Sequence, residues 1–166
     1  MFNAVISLFQ EKNSFFINLM WQHLQISFIS VIIACIIGLI MGIIISEYKN
    51  SSKYVLGVIN FLYTIPSISL LGFLIPFSGI GNKTAIIALT IYALLPMVRN
   101  TFTGIENIDD AIIEAATGMG STRIQIIYKI KLPLALPVIM SGIRNMVTMT
   151  IALAGIASFI GAGGLG

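Results

Sequence analysis

Residues 114–133 read EAATGMGSTRIQIIYKIKLP and gather Glu114, Arg123, Lys129 and Lys131 within an otherwise apolar chain. Each such charge costs roughly 2.5–3.5 kcal/mol at the centre of a membrane helix, so the stretch belongs in water. The chemistry it offers is recognition of a soluble surface through charge-assisted hydrogen bonds. Covalent chemistry has no comparable set of residues. His23 is the sole histidine, and neither a nucleophile–base constellation nor metal-ligand spacing occurs. Residues 161–166 (GAGGLG) lack the GK[ST] ending of a phosphate loop. Cys35 is the only cysteine and has no intrachain partner for a disulfide. A membrane-embedded enzyme is therefore disfavoured, and no metal or cofactor is expected.

The elements that must carry this loop follow from composition. The chain is 57% hydrophobic and 9% charged, against about 25% charged in soluble domains. The expected class is an all-α integral membrane protein with about four spans. The net charge of +3 is small, and no nucleic-acid partner is expected. A span needs about 20 apolar residues. The first falls over 24–46, where Gly38 and Gly42 form a small-xxx-small pair that admits another helix. The second falls over 55–77, where Pro66 predicts a kink, or a break beside a cavity. Residues 78–83 (SGIGNK) form a turn, and the third span covers 84–103 with Pro96 and Arg99 near its end.

Within the loop, 104–133, Asn107, Asp109 and Asp110 suit the cap of a short helix over 110–118. Gly118 and Gly120 end that helix and permit a left-handed turn. Thr122 with Gln125 fits a capping box for a second helix, which Pro133 is expected to stop. The last span covers 137–160 and contains Arg144. Residues 1–23 are read as an interfacial segment lying along the membrane, with Phe15, Phe16 and Trp21 at headgroup level. The apolar run 4–9 is too short, and lacks the basic flank, for a cleavable signal peptide.

Orientation comes from the cations. With the 104–133 loop in the cytoplasm, Lys49, Lys53, Arg99, Arg123, Lys129, Lys131 and Arg144 lie on or near the inside, and only Lys12 and Lys83 fall outside. The N-terminus is then external. An ion-driven secondary transporter would carry acids within its spans, and residues 24–46, 54–82 and 134–166 hold none.

Glu114-Ala115-Ala116, Gly120, Ile130, Leu132 and Pro133 stand at fixed spacing in the one long internal loop. That pattern resembles the cytoplasmic signature of permease subunits of binding-protein-dependent ABC importers. Tyr63-Thr64-Ile65-Pro66-Ser67, Leu94-Leu95-Pro96, Arg99-Asn100-Thr101, Thr103-Gly104-Ile105 and the GAGGLG stretch look like the osmoprotectant branch, which takes glycine betaine, carnitine, choline or proline betaine. Methionine importer permeases share the signature and are less similar around 63–67 and 94–105.

The resemblance implies an ABC type I importer transmembrane domain, methionine-permease-like in fold, over 24–166. It implies a coupling helix seated in a groove of a separate cytoplasmic ATPase subunit, an external substrate-binding protein, and a second permease copy, identical or related. The setting would be a bacterial-type cytoplasmic membrane. Glu114 would supply the anchored charge, Ala115 and Ala116 a close approach, and Gly120 the turn between two short helices. Ile130, Leu132 and Pro133 complete the coupling signature, with Pro133 setting the angle of return to the membrane. Tyr63, Pro66 and Arg144 are candidates for the translocation path. Family members usually continue past GAGGLG with a further helix. The alternatives are therefore an importer of methionine or another small solute, or an inactive truncated permease fragment.

Overall fold

The computed structural model describes residues 12–166, all of them helix or short connection. Helix α1 spans Asn13–Glu47 without a break. Its 35 residues make a rod of about 50 Å, well beyond the roughly 30 Å of a hydrocarbon core. Residues 13–23 thus continue the first membrane helix instead of forming a separate interfacial segment. Neither glycine nor proline interrupts them, so no strong helix breaker halts propagation there. The rest of that expected segment, including the run 4–9, lies outside the described residues.

The expected second span is two helices, α2 (Lys49–Thr64) and α3 (Ser67–Ser78), bent by 98°. Pro66 has no N–H for the carbonyl of Leu62, and it forces Ile65 out of the helical region to φ −69°, ψ 126°. Helix α4 then runs Asn82–Glu106, straight through Pro96.

After the loop helix α5 (Asp110–Gly118) comes a short α6 (Arg123–Ile126), a π-helical turn (Ile127–Lys131), α7 (Leu132–Ala157) and a 3₁₀ turn (Ser158–Ile160). These last pieces form one 38-residue rod, Arg123–Ile160. Pro133 therefore does not stop a helix, and the segment between the two long helices is 107–122. The wide turn is the physical reason. The Leu132 N–H reaches back to the Ile127 carbonyl, five residues away, and this slack absorbs a ring that would clash in a regular α-turn. Among the described residues three helices are long and apolar enough to cross a membrane, and the bent pair makes a fourth if counted as one span.

Packing is close because small residues line the crossings. A Cβ on Gly38 would lie 2.7 Å from Met97 Cγ, and one on Gly42 would lie 2.5 Å from Thr101 Cβ. The helix that the glycine pair admits is thus α4 of the same chain, running parallel to α1. Helix α7 runs antiparallel to both, and a Cβ on Gly142 would meet Asn100 Cβ at 2.7 Å. The central core joins Ala34, Ala93, Met97, Ala135, Ile139 and Met146. Lipid tails are as apolar as these side chains, so intimate van der Waals fit holds the bundle together.

At the other end of the bundle from the loop, the glycine-rich residues fold back over the helices. Gly81 N–H donates to the Ile160 carbonyl at 3.1 Å, and Gly163 N–H to Asn82 Oδ1 at 2.8 Å. His23 is buried beneath them, not simply interfacial. Leu165 N–H donates to its Nδ1 at 3.4 Å, which leaves Nε2 to donate to the Ile151 carbonyl at 3.0 Å.

Candidate functional site

Helix α5 is built by local chemistry. Asp109 caps it, accepting from Ala111 N–H at 2.9 Å, and Asp110 places negative charge in the first turn. Its end is a Schellman motif. Ser121 N–H bonds the Ala116 carbonyl at 3.1 Å, Gly120 N–H bonds Thr117 at 2.9 Å, and Gly120 takes φ +84°. Gly118 is the last helical residue, so the left-handed turn belongs to Gly120 alone. Thr122 and Gln125 form the reciprocal capping box that starts the rod.

The helix has two faces. Ala116 is buried, while Glu114 and Ala115 are exposed beside the apolar side chains of Ile112 and Met119. An acidic group, an alanine and two bare hydrophobics thus share the exposed side of this short helix. Ile130, Leu132 and Pro133 lie apart from it, in the rod, with Leu132 packed on the central core.

Lys131, at the end of the π turn, forms an ion pair with Glu47 at the foot of α1. Between this pair and α5 lies a cleft of about 330 Å³, lined by Ile113, Thr117, Ser121 and Arg123 among others. The pair joins residues 84 positions apart, and nothing local in the sequence marks it.

A second constellation sits at the Pro66 break. The Tyr92 hydroxyl donates to the Ile65 carbonyl, an acceptor that the broken helix leaves without its own donor. The Tyr63 ring meets the Tyr92 ring edge to face at 5.8 Å, and the Tyr63 hydroxyl donates to Met149 Sδ at 3.1 Å. Tyr63 and Pro66 are thus brought together, against α4 and α7. Arg144 stands elsewhere on α7, exposed, with no side-chain partner among the described residues. Arg99 donates to Asn60 Oδ1 at 3.3 Å and so ties α4 to α2.

The family described as "Binding-protein-dependent transport system inner membrane component" matches residues 34–166. The chain belongs to this family. Among its curated relatives, the carnitine transport permease protein OpuCB of Listeria monocytogenes is 44% identical over 99% of this chain and 75% of its own length. The glycine betaine/carnitine/choline transport system permease protein OpuCD of Bacillus subtilis is 38% identical over 95% of this chain and 69% of its own. The osmoprotectant import permease protein OsmW of Salmonella typhimurium is 43% identical over 94% and 75%. The permease fold is shared with an inward-facing MetNI methionine ABC transporter, at TM-score 0.82, 30% identity, and 91% and 76% coverage of the two chains. An amino acid ABC transporter crystallised with histidines has the same fold, at TM-score 0.75, 24% identity and 96% and 78% coverage. The chain is therefore a multi-pass membrane permease subunit of the ABC importer kind.

Proposed function

We propose that this permease imports compatible solutes bearing a quaternary ammonium, of the glycine betaine, carnitine and choline class. The carrying observation is the 44% identity to a carnitine permease over 99% of this chain. In this reading the 107–122 loop faces the cytoplasm and the N-terminal end of α1 faces outward, as the distribution of Lys and Arg favours. A separate ATPase subunit hydrolyses ATP and receives Glu114, Ala115 and Ala116 in a groove, while Gly120 holds the loop's shape. A binding protein delivers solute from outside, and a second permease copy, identical or related, completes the path past Tyr63, Pro66 and Arg144. ATPase closure moves the loop, and the rod carries that motion to the spans.

The test is uptake of labelled glycine betaine and choline at high osmolarity, in cells lacking their own osmolyte importers. The cells also carry the cognate ATPase, binding-protein and second permease genes. Saturable uptake that a Gly120→Val variant loses is the expected result. Uptake of methionine instead, with neither osmolyte moved, would replace the cargo.

The Glu47–Lys131 pair gives a further expectation. Both side chains are partly buried, at 26% and 17% exposure, so their coupling should be worth about 1 kcal/mol. Glu47→Lys or Lys131→Glu alone should slow uptake about fivefold or more, since each sets like charges together. The exchanged pair Glu47→Lys/Lys131→Glu should recover most of the rate. Uptake assays at matched membrane levels would show whether the exchange restores it.

A further inference from the structure

Four features meet around Tyr63. First, its depth: Tyr63 lies fourteen residues beyond Lys49 along α2, about 21 Å from the foot of the bundle. Second, its ring is presented and braced. Tyr63 is 43% exposed, while its hydroxyl is held by Met149 and one ring edge by Tyr92. With its polar atom already engaged, the aromatic π-face is what it offers to a passing solute. Third, α2 ends here. Among the described residues no donor reaches the carbonyls of Tyr63 and Thr64, so the negative end of the helix dipole stays open beside the ring. Fourth, α7 carries Ser141, Arg144, Asn145 and Thr148 at i, i+3, i+4 and i+7, the last three exposed. Lipid would penalise such a face, so it lines a wet space or a protein contact. Met149, bonded to Tyr63, stands at the border of this face, about 40° around the helix from Asn145.

No carboxylate occurs in α2, α3 or α7. An inorganic cation or a primary amine, which needs strong acceptors, has little to hold it. A quaternary ammonium has no N–H to donate and is held well by an aromatic face with carbonyl dipoles nearby. Arg144 lies five residues before Met149, about 7.5 Å nearer the foot of the rod and about 140° around it, at the other edge of the polar face. From that edge the long Arg144 side chain, without a partner among the described residues, can reach across the polar face to the carboxylate of a small zwitterion whose ammonium rests on Tyr63.

The geometry points to a two-part station in the membrane path. The Tyr63 ring and the α2 carboxyl end hold a trimethylammonium group, and Arg144 holds the carboxylate of a zwitterionic solute. This inference rests on the importer reading above and names the substrate contacts for it. It also separates the solutes: glycine betaine and carnitine use both parts, and choline, with no carboxylate, uses only the first.

The test compares maximal rates of glycine betaine and choline uptake through the complete transporter, with membrane levels matched. Tyr63→Phe keeps the ring and should retain at least about half the rate for both solutes. Tyr63→Leu should lower both about tenfold. Tyr63→Met takes its place if the leucine variant does not reach the membrane. Arg144→Gln should lower glycine betaine uptake about tenfold and choline uptake no more than about twofold. Half-saturation concentrations, set by the binding protein, should stay put. The station is overturned if Tyr63→Leu transports like the wild type, if Tyr63→Phe falls as far as leucine, or if Arg144→Gln lowers both solutes equally. A wild-type transporter that imports neither solute would overturn the cargo reading itself, and it would show in the parent and not in the variants.

Discussion

Replacing Gly120 with valine is expected to abolish uptake while leaving the permease in the membrane. Gly120 sits at φ +84°, and a Cβ there would meet nothing within 4 Å. The penalty is therefore conformational and not a clash. A non-glycine residue in this region costs about 1–2 kcal/mol, and a β-branched one more. The chain can avoid that cost by abandoning the turn, which sacrifices the bonds from Gly120 and Ser121 to the end of α5. Glu114 and Ala115 would then no longer face outward from a fixed helix. Gly120→Asn, which tolerates the left-handed region, should keep about half of the uptake. Valine should keep less than about a tenth, with ATP hydrolysis no longer stimulated by loaded binding protein. Equal uptake by the two variants would refute the conformational argument.

Gly42→Leu should remove the protein from the membrane altogether. A single Cβ at this position would already press on Thr101 Cβ at 2.5 Å, its Cγ2 at 2.7 Å and the Val98 carbonyl at 3.1 Å. Two of these atoms belong to a fully buried side chain and one to backbone, so neither can swing aside. Even Gly42→Ala should cost about 1–3 kcal/mol through overpacking. Leucine would force α1 and α4 apart along their main contact. Gly57 supplies the contrast, since nothing lies within 4 Å of its Cβ. Gly57→Ala should be neutral, or gain up to about 1 kcal/mol of helix propensity. Thermal midpoints of the detergent-solubilised protein, read as remaining monodisperse fraction, would rank Gly42→Ala and Gly57→Ala, and membrane levels would score Gly42→Leu. Accumulation of Gly42→Leu at the level of Gly57→Ala would contradict the packing described.

What could be read in advance was local. The Thr122–Gln125 capping box, the Asp109 cap and the disruption at Pro66 depend on neighbours within a few residues, and each is present. The seven signature residues were legible as a pattern, but the structure divides them among a surface helix, the turn after it and the long rod. Pro133 was misread because a proline's effect depends on the turn before it, and a π turn leaves no compositional trace. His23 and Glu47 carry no local signal of their contacts. Their partners lie 142, 128 and 84 residues away, and only the folded bundle brings them together. Arg99 behaves likewise, since its contact with Asn60 depends on how α2 turns back after α1.

The uninterrupted rod Arg123–Ile160 crosses α4 where Gly104 and Gly142 let the backbones nearly touch. From residue 140, the middle of that contact, the segment toward Arg123 measures about 25 Å and the segment toward Ile160 about 30 Å. A stiff bar resting near its midpoint behaves as a seesaw. An ångström of travel at the Arg123 tip becomes about an ångström of opposite travel at the Ile160 tip, with no spring to store the difference. In the importer reading proposed above, opening on one side and shutting on the other are then a single event, so a state leaking at both mouths would require the bar itself to break.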